Sequence, residues 1–154
     1  MRCNLIFPWF LTDQHLIAER RELRMIPPLL EKRARTRSPI TGDVPKQFCL
    51  GKGHQIFWLD KFLYLEKRYN SLTEEMLRRG FKPNLEFSLD TKLAKYYRLY
   101  NDWTPEPEDY DLIVARLIEK INQKFKWYRY CGKSITRQWI EVTYPLPYAS
   151  SIGN

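Results

Sequence analysis

Apolar residues recur along this chain at helical spacing. Leu16, Leu23, Ile26 and Leu30 are separated by seven, three and four positions, which puts them on one helix face. Phe62, Leu65, Tyr69, Leu72 and Met76 follow at three, four, three and four, a second amphipathic stripe. Ile113, Leu117 and Ile121 mark the inner face of a third. Thr12 offers an N-cap ahead of Asp13, so the first helix is predicted to open there and run to about residue 37, kinked or split at Pro27 and Pro28. The second is predicted over 54–79, after the run GKGH, with Gly80 as its stop. Thr104 followed by Pro105 predicts the third over 105–124, with Glu106, Glu108 and Asp109 matching its dipole.

The segments between carry other signals. Residues 1–11 read as an extended arm, because Pro8 and the cluster Phe7, Trp9 and Phe10 disfavour a helix. Residues 38–50, with Pro39, Gly42 and Pro45, read as a loop. Residues 81–103 read as irregular, with a short helix near 92–99. The run KWYRYCGK, 126–133, is a dense basic and aromatic patch, and 134–154 reads as a strand or an extended strap. There is no internal repeat. The expected fold is mainly α, a single compact domain of three long helices with the N-terminal arm inserted against them and substantial loops. Residues 1–133 would form that domain and 134–154 an extension packed on it.

Composition narrows the class. The chain has 154 residues, and 44% hydrophobic residues are enough for a real core. Twenty-six basic residues against 18 acidic give a net charge of +8, which favours a polyanion partner, though a plain solubility charge has the same form. Ten Tyr and five Trp suit base stacking or an ordinary core. Three cysteines with no C-x-x-C suggest neither a disulfide framework nor a zinc site, and so a reducing, cytoplasmic setting. No apolar run reaches membrane-span length, and the opening MRCNLIFPWFL is broken by Pro8 with no small-residue cleavage site after it. No surface stripe demands a partner copy, so a monomer is expected.

On a wheel at 100° per residue, Glu19 falls inside the apolar stripe of the first helix, while His15 and Glu22 fall on its border. Glu19 therefore reads as a core carboxylate held by a buried Arg or Lys. A border carboxylate such as Glu22 can be partly desolvated yet reach a substrate, which makes it a usable acid or base. The plainer reading is a surface pair with Arg20, Arg21 or Arg24. His15 reads as a satisfied, hydrogen-bonded residue, and with His54 it lacks third and fourth ligands, so no metal site is expected. No G-x-S-x-G, P-loop or Cys–His signature supplies a nucleophile. An α-amine, with a reference pKa of about 8 against about 10.4 for Lys, is partly uncharged at neutral pH. The apolar arm should dock and thereby fix the amine of Met1.

Three blocks carry a resemblance: DQHLIAERREL at 13–23, LGKGHQIFWLDKFLYLEKRYNSLTEEMLRRGF at 50–81 and ARLIEKINQKFKWYRYCGK at 115–133. In this order, after a short arm, they resemble the pyrimidine-dimer DNA glycosylases of the phage endonuclease V type. The resemblance implies a glycosylase with an associated lyase step, acting on cyclobutane pyrimidine dimers in double-stranded DNA without cofactor or metal. The N-terminal α-amine would attack the sugar of the 5′ nucleotide, a Schiff base would form, and β-elimination would nick the strand. The family's catalytic Glu matches Glu22, and its flanking Arg matches Arg21. Its Arg beside the amine matches Arg2, and its Gln-His pair matches Gln14 and His15. Arg116 and Lys120 match its third-helix cations, and Trp127, Tyr128, Arg129, Tyr130 and Lys133 match its C-terminal aromatic segment. All of these would contact DNA.

The departures are specific. The best-known members expose a Thr once the initiator Met is removed, whereas here Met1 itself stands 21 positions before Glu22. Arg2 disfavours Met removal, so the resemblance implies the amine of Met1 as the nucleophile. Where the family often carries a further Arg, this chain has Arg24, one of the expected DNA contacts, and then Met25, so that phosphate contact is expected to be shifted or lost. Cys131 stands in place of a typical Tyr, and residues from Ser134 onward run past the usual family end. The same chemistry on oxidised or ring-opened bases, or a non-catalytic basic helical module that binds nucleic acid, are the other readings these residues allow.

Overall fold

The computed structural model describes residues 3–36, 40, 42–86 and 88–147, with Lys52 described by its backbone alone. The described chain is mainly helical: α1 (Asp13–Leu23), α2 (Ile26–Arg35), α3 (His54–Phe57), α4 (Phe62–Arg78), α5 (Lys92–Tyr96), α6 (Pro107–Gln123) and α7 (Arg137–Thr143). The strands described are β1 (Arg129–Tyr130) and β2 (Lys133–Ser134), an antiparallel pair. Contacts gather into two units, Met1–Cys3 with Ala18–Thr104 and Asn4–Ile17 with Pro105–Asn154. Helix α1 contributes its first turns to the second unit and the rest to the first. No described helix is long and apolar enough to cross a membrane.

In the first unit, the single helix expected over 13–37 is two. The break falls at Arg24–Met25, ahead of the prolines rather than at them. In an unbroken helix Pro27 and Pro28 would leave the carbonyls of Leu23 and Arg24 without donors. Opening α2 at Ile26 moves both prolines into a first turn, whose N–H groups have no intrahelical acceptor. Helix α2 closes at Arg35, and Arg37 lies outside the described residues.

The helix expected over 54–79 is also interrupted. Helix α3 ends at Phe57, a 3-10 turn covers Trp58–Asp60, and α4 restarts at Phe62. The restart has a tertiary cause. The amide of Phe62 donates to the carbonyl of Leu99, and that of Leu63 to the carbonyl of Asn101, both at 3.2 Å. These acceptors satisfy donors that a helix start leaves open. The stripe Phe62, Leu65, Tyr69, Leu72 and Met76 is buried throughout, as its spacing predicts. Gly80 ends α4 with φ of 79°, its amide on the carbonyl of Leu77 and that of Phe81 on Met76, both at 2.9 Å. This is a Schellman close that needs a residue without a Cβ penalty at positive φ. Near this end, burial alone would raise the pKa of Glu75, but the hydrogen bonds and charges of Arg78 and Arg79 outweigh it and hold the carboxylate ionised below its ordinary value.

In the second unit, the arm is not extended throughout: Pro8–Phe10 form a 3-10 turn with Pro8 in its first position. The amide of Phe10 donates to Phe7 and that of Leu11 to Pro8, both at 3.0 Å. Proline is tolerated here because the first turn has no use for its missing N–H. Thr12 does cap α1, its hydroxyl 3.4 Å from the amide of His15. Helix α6 starts two residues later than expected, with Glu106 as N-cap and Pro107 next. The deciding group is Asp109, whose carboxylate accepts from the amide of Glu106 at 2.9 Å. Ile113, Leu117 and Ile121 are buried as read. The tail holds a helix, α7, in place of the expected strand or strap, because the hydroxyl of Thr136 caps it on the amide of Trp139 at 3.0 Å.

Candidate active site

Within the first unit, the wheel reading of α1 sorts the two carboxylates. Glu19 is 0% exposed and bound in a fork by Arg68, whose Nε and Nη2 donate to Oε1 and Oε2 at 2.7 and 3.0 Å. Burial alone would lower the pKa of Arg68, but the charge and hydrogen bonds of Glu19 outweigh it and raise it above the ordinary guanidinium value. Glu22, one turn further on, stays partly exposed. Arg20 turns to α4 and beyond: its Nε donates to Thr73 Oγ1 at 2.7 Å, its Nη2 to the carbonyl of Asn84 at 3.0 Å, and its guanidinium lies 4.6 Å over the ring of Tyr69. Arg20 is thus tied into the packing, while Arg21 and Arg24 are exposed. Arg24 lines a cavity of about 590 Å³ with Pro27, Pro28, Leu89, Lys92 and Tyr96. Met1 and Arg2 lie outside the described residues.

Within the second unit, the first turn of α1 holds the basic aromatic patch. That patch is a hairpin, pairing Arg129 with Ser134 and Tyr130 with Lys133. The two residues between the strands, Cys131 and Gly132, have φ of 49° and 77°. Positive φ at both central positions is the signature of a type I′ turn, matched to strand twist. The side chain of Gln14 acts as a clamp: its Nε2 donates to the carbonyl of Trp127 at 2.7 Å and its Oε1 accepts from the amide of Arg129 at 2.9 Å. His15 is 3% exposed, stacks on Tyr128 at 4.7 Å and hydrogen-bonds the hydroxyl of Thr12 through Nδ1 at 2.9 Å. The sequence reading of His15 as a satisfied, hydrogen-bonded residue describes this arrangement.

Asp13, the first residue of α1, binds the turn of this hairpin. Its carboxylate accepts from the amides of Cys131 and Gly132 at 3.1 and 2.8 Å. Two successive N–H groups of a tight turn make a small anion-binding concavity. The signal in the sequence is Gly132 in a two-residue link between RY and KS, which points to the turn and not to Asp13 as its acceptor. Removing the clamp with Asp13→Ala should leave those amides short of an acceptor and cost ~1–3 kcal/mol. Faster amide hydrogen exchange at Cys131 and Gly132 would report it, and unchanged exchange would rule the clamp out.

The remaining candidates present themselves outward. Trp127 is 57% exposed, Lys133 is exposed, and Arg129 bonds the hydroxyl of Ser134. Tyr130 packs on Trp139 with ring centroids 5.2 Å apart. On α6, Arg116 is partly exposed, and the amine of Lys120 meets Gln123 Oε1 at 3.3 Å and Glu119 at 3.9 Å. The structure thus brings Gln14, His15, Trp127, Tyr128 and Arg129 into one bonded group. On α6, Lys120 has its partners on its own helix.

The family model described as pyrimidine dimer DNA glycosylase matches residues 1–89. The match covers more than half of the chain and contains the arm, α1 with both of its glutamates, and α4 with Arg68. The chain belongs to the pyrimidine dimer DNA glycosylase family and is therefore a DNA repair glycosylase whose substrate is DNA.

Proposed function

We propose that this glycosylase acts on cyclobutane pyrimidine dimers in duplex DNA through the α-amine of Met1, with Glu22 as its catalytic carboxylate and an associated lyase step. The observation that carries this reading is the family match, which begins at residue 1 and includes Glu22. The burial of its neighbour supports the choice of carboxylate. Glu19 is enclosed by Arg68, so it cannot approach a sugar without exposing a buried cation, whereas Glu22 is partly exposed.

The amine lone pair attacks the anomeric carbon of the 5′ nucleotide, and the bond from that carbon to the pyrimidine breaks. The departing base takes the electron pair and a proton. Loss of the ring oxygen bond leaves an iminium between Met1 and the sugar. Glu22 stabilises the cationic sugar and moves the protons. Abstraction of a proton from the adjacent carbon expels the 3′ phosphate, and water then releases the enzyme. Around this chemistry Arg2, Arg21 and Arg24 hold phosphates, as do Arg116, Lys120, Arg129 and Lys133 in the second unit. Trp127 and Tyr130 supply stacking surface. Gln14 serves by holding the flank of the hairpin through its amide, and His15 by stacking on Tyr128 beside it.

The test is reductive trapping. Ultraviolet-irradiated duplex and borohydride should yield a covalent adduct that mass spectrometry maps to residue 1. An uncleaved N-terminal tag should abolish both adduct and nicking. No adduct, or an adduct at an internal lysine, would refute the mechanism.

A further inference from the structure

The arm carries a feature that neither the catalytic pair nor the hairpin uses. Phe7 and Trp9 stack face to face, with centroids 4.5 Å apart and planes within 5°. Phe7 is 49% exposed and Trp9 46%. Single exposed apolar residues are ordinary, whereas two large rings stacked on each other and both half exposed offer a flat aromatic surface to a partner.

The pair is also held firmly. Pro8 between them is buried, as are Leu5, Ile6 and Leu11 on either side. The 3-10 turn fixes the backbone, and Tyr144 donates its hydroxyl to the carbonyl of Phe10 at 2.6 Å. A rigid pair of aromatic rings loses little entropy when it contacts a flat partner.

We infer that the Phe7–Trp9 stack packs against a nucleobase face uncovered at a disrupted step of the duplex, so that the arm reads damage by stacking. Two observations select this occupant. The substrate is DNA, and the chain's charge of +8 suits it. The arm is also short. Six residues of chain reach at most ~20 Å, so Phe7 stays within that distance of Met1. At ~3.4 Å per nucleotide step this is about six steps from the sugar the amine attacks.

The stack would discriminate as well as bind. In an intact duplex every base face is covered by its neighbours. A missing base uncovers one, and a dimer weakens the stack around it, so an aromatic side chain enters at either site for less than it costs to separate two intact bases. This inference rests on the amine reading for its location but makes a prediction of its own about binding.

The probe is a duplex with one tetrahydrofuran abasic analogue, which cannot form a Schiff base, compared with the intact duplex of the same sequence. The wild-type protein should prefer the analogue. Trp9→Leu should weaken binding to it by ~10-fold, the loss of one stacking partner, and leave binding to the intact duplex unchanged. Trp9→Phe, which keeps a ring, should restore most of the preference, and that rescue also shows that the arm still folds. A 2-aminopurine beside the gap should be quenched by the wild type and less so by Trp9→Leu. Equal losses on both duplexes, no loss on either, or no wild-type preference would overturn the inference. So would a concentration-dependent dimer that Trp9→Leu dissolves, because a second copy would then be the occupant. If the analogue preference depends on Trp9 but no borohydride adduct forms at residue 1, stacking is supported and the amine mechanism fails.

Discussion

Glu22→Gln is expected to lower strand nicking at dimers by ~10³-fold, within the range that positioned acid–base groups supply. That corresponds to ~4 kcal/mol of transition-state stabilisation. The amide keeps the size of the side chain and most of its hydrogen-bonding capacity. It removes the negative charge that would stabilise a cationic sugar and the group that would accept and return protons. Binding of dimer-containing duplex should be unchanged or slightly tighter, because one anion near the phosphates has gone. The variant should fold normally, since Glu22 is partly exposed. The measurement is single-turnover nicking of an irradiated duplex with binding followed in parallel. Nicking within a few-fold of wild type would remove Glu22 from the mechanism, and loss of binding in step with nicking would give it a structural role instead.

The legible parts of this protein were those set by local spacing. The wheel placed Glu19 inside and Glu22 on the border of α1, and Arg68 does enclose the first while the second is partly exposed. The α4 stripe and the Gly80 stop were equally local, since both depend on residues within one or two turns. What the sequence concealed depends on partners far along the chain. The interruption before α4 is stabilised by carbonyls of Leu99 and Asn101, almost forty positions on. The hairpin turn is closed by Asp13, which is 118 positions from Cys131, and its flank by Gln14, which is 113 from Trp127. No window of periodicity contains both members of such pairs. The cap of α6 is ambiguous in the sequence for a different reason. Thr104-Pro105 and Glu106-Pro107 are rival starts two residues apart, and the reciprocal bond from Asp109 favours the second.

Arg68→Met is expected to destabilise the fold by ~3–5 kcal/mol, the cost of leaving a buried carboxylate without its cation. For a chain of this length that should lower the melting temperature on the order of 10 °C. Both oxygens of Glu19 accept from the guanidinium, and both side chains are shut away from water. The loss should therefore greatly exceed the ~0.2–1 kcal/mol typical of exposed pairs. The double change Glu19→Leu with Arg68→Met should recover most of it, because neither charge then needs solvating and apolar side chains fill the space. Thermal unfolding followed by circular dichroism gives all three values. A single-variant loss below ~1 kcal/mol would mean that water reaches the pair. The double variant then bears on the chemistry. It retains Glu22 on the same helix, so at temperatures where it is folded it should nick dimers, whereas the stable Glu22→Gln protein should not. If the double variant folds and is inactive, Glu19 does more than hold α1 against α4, and the assignment of the catalytic carboxylate to Glu22 alone is wrong.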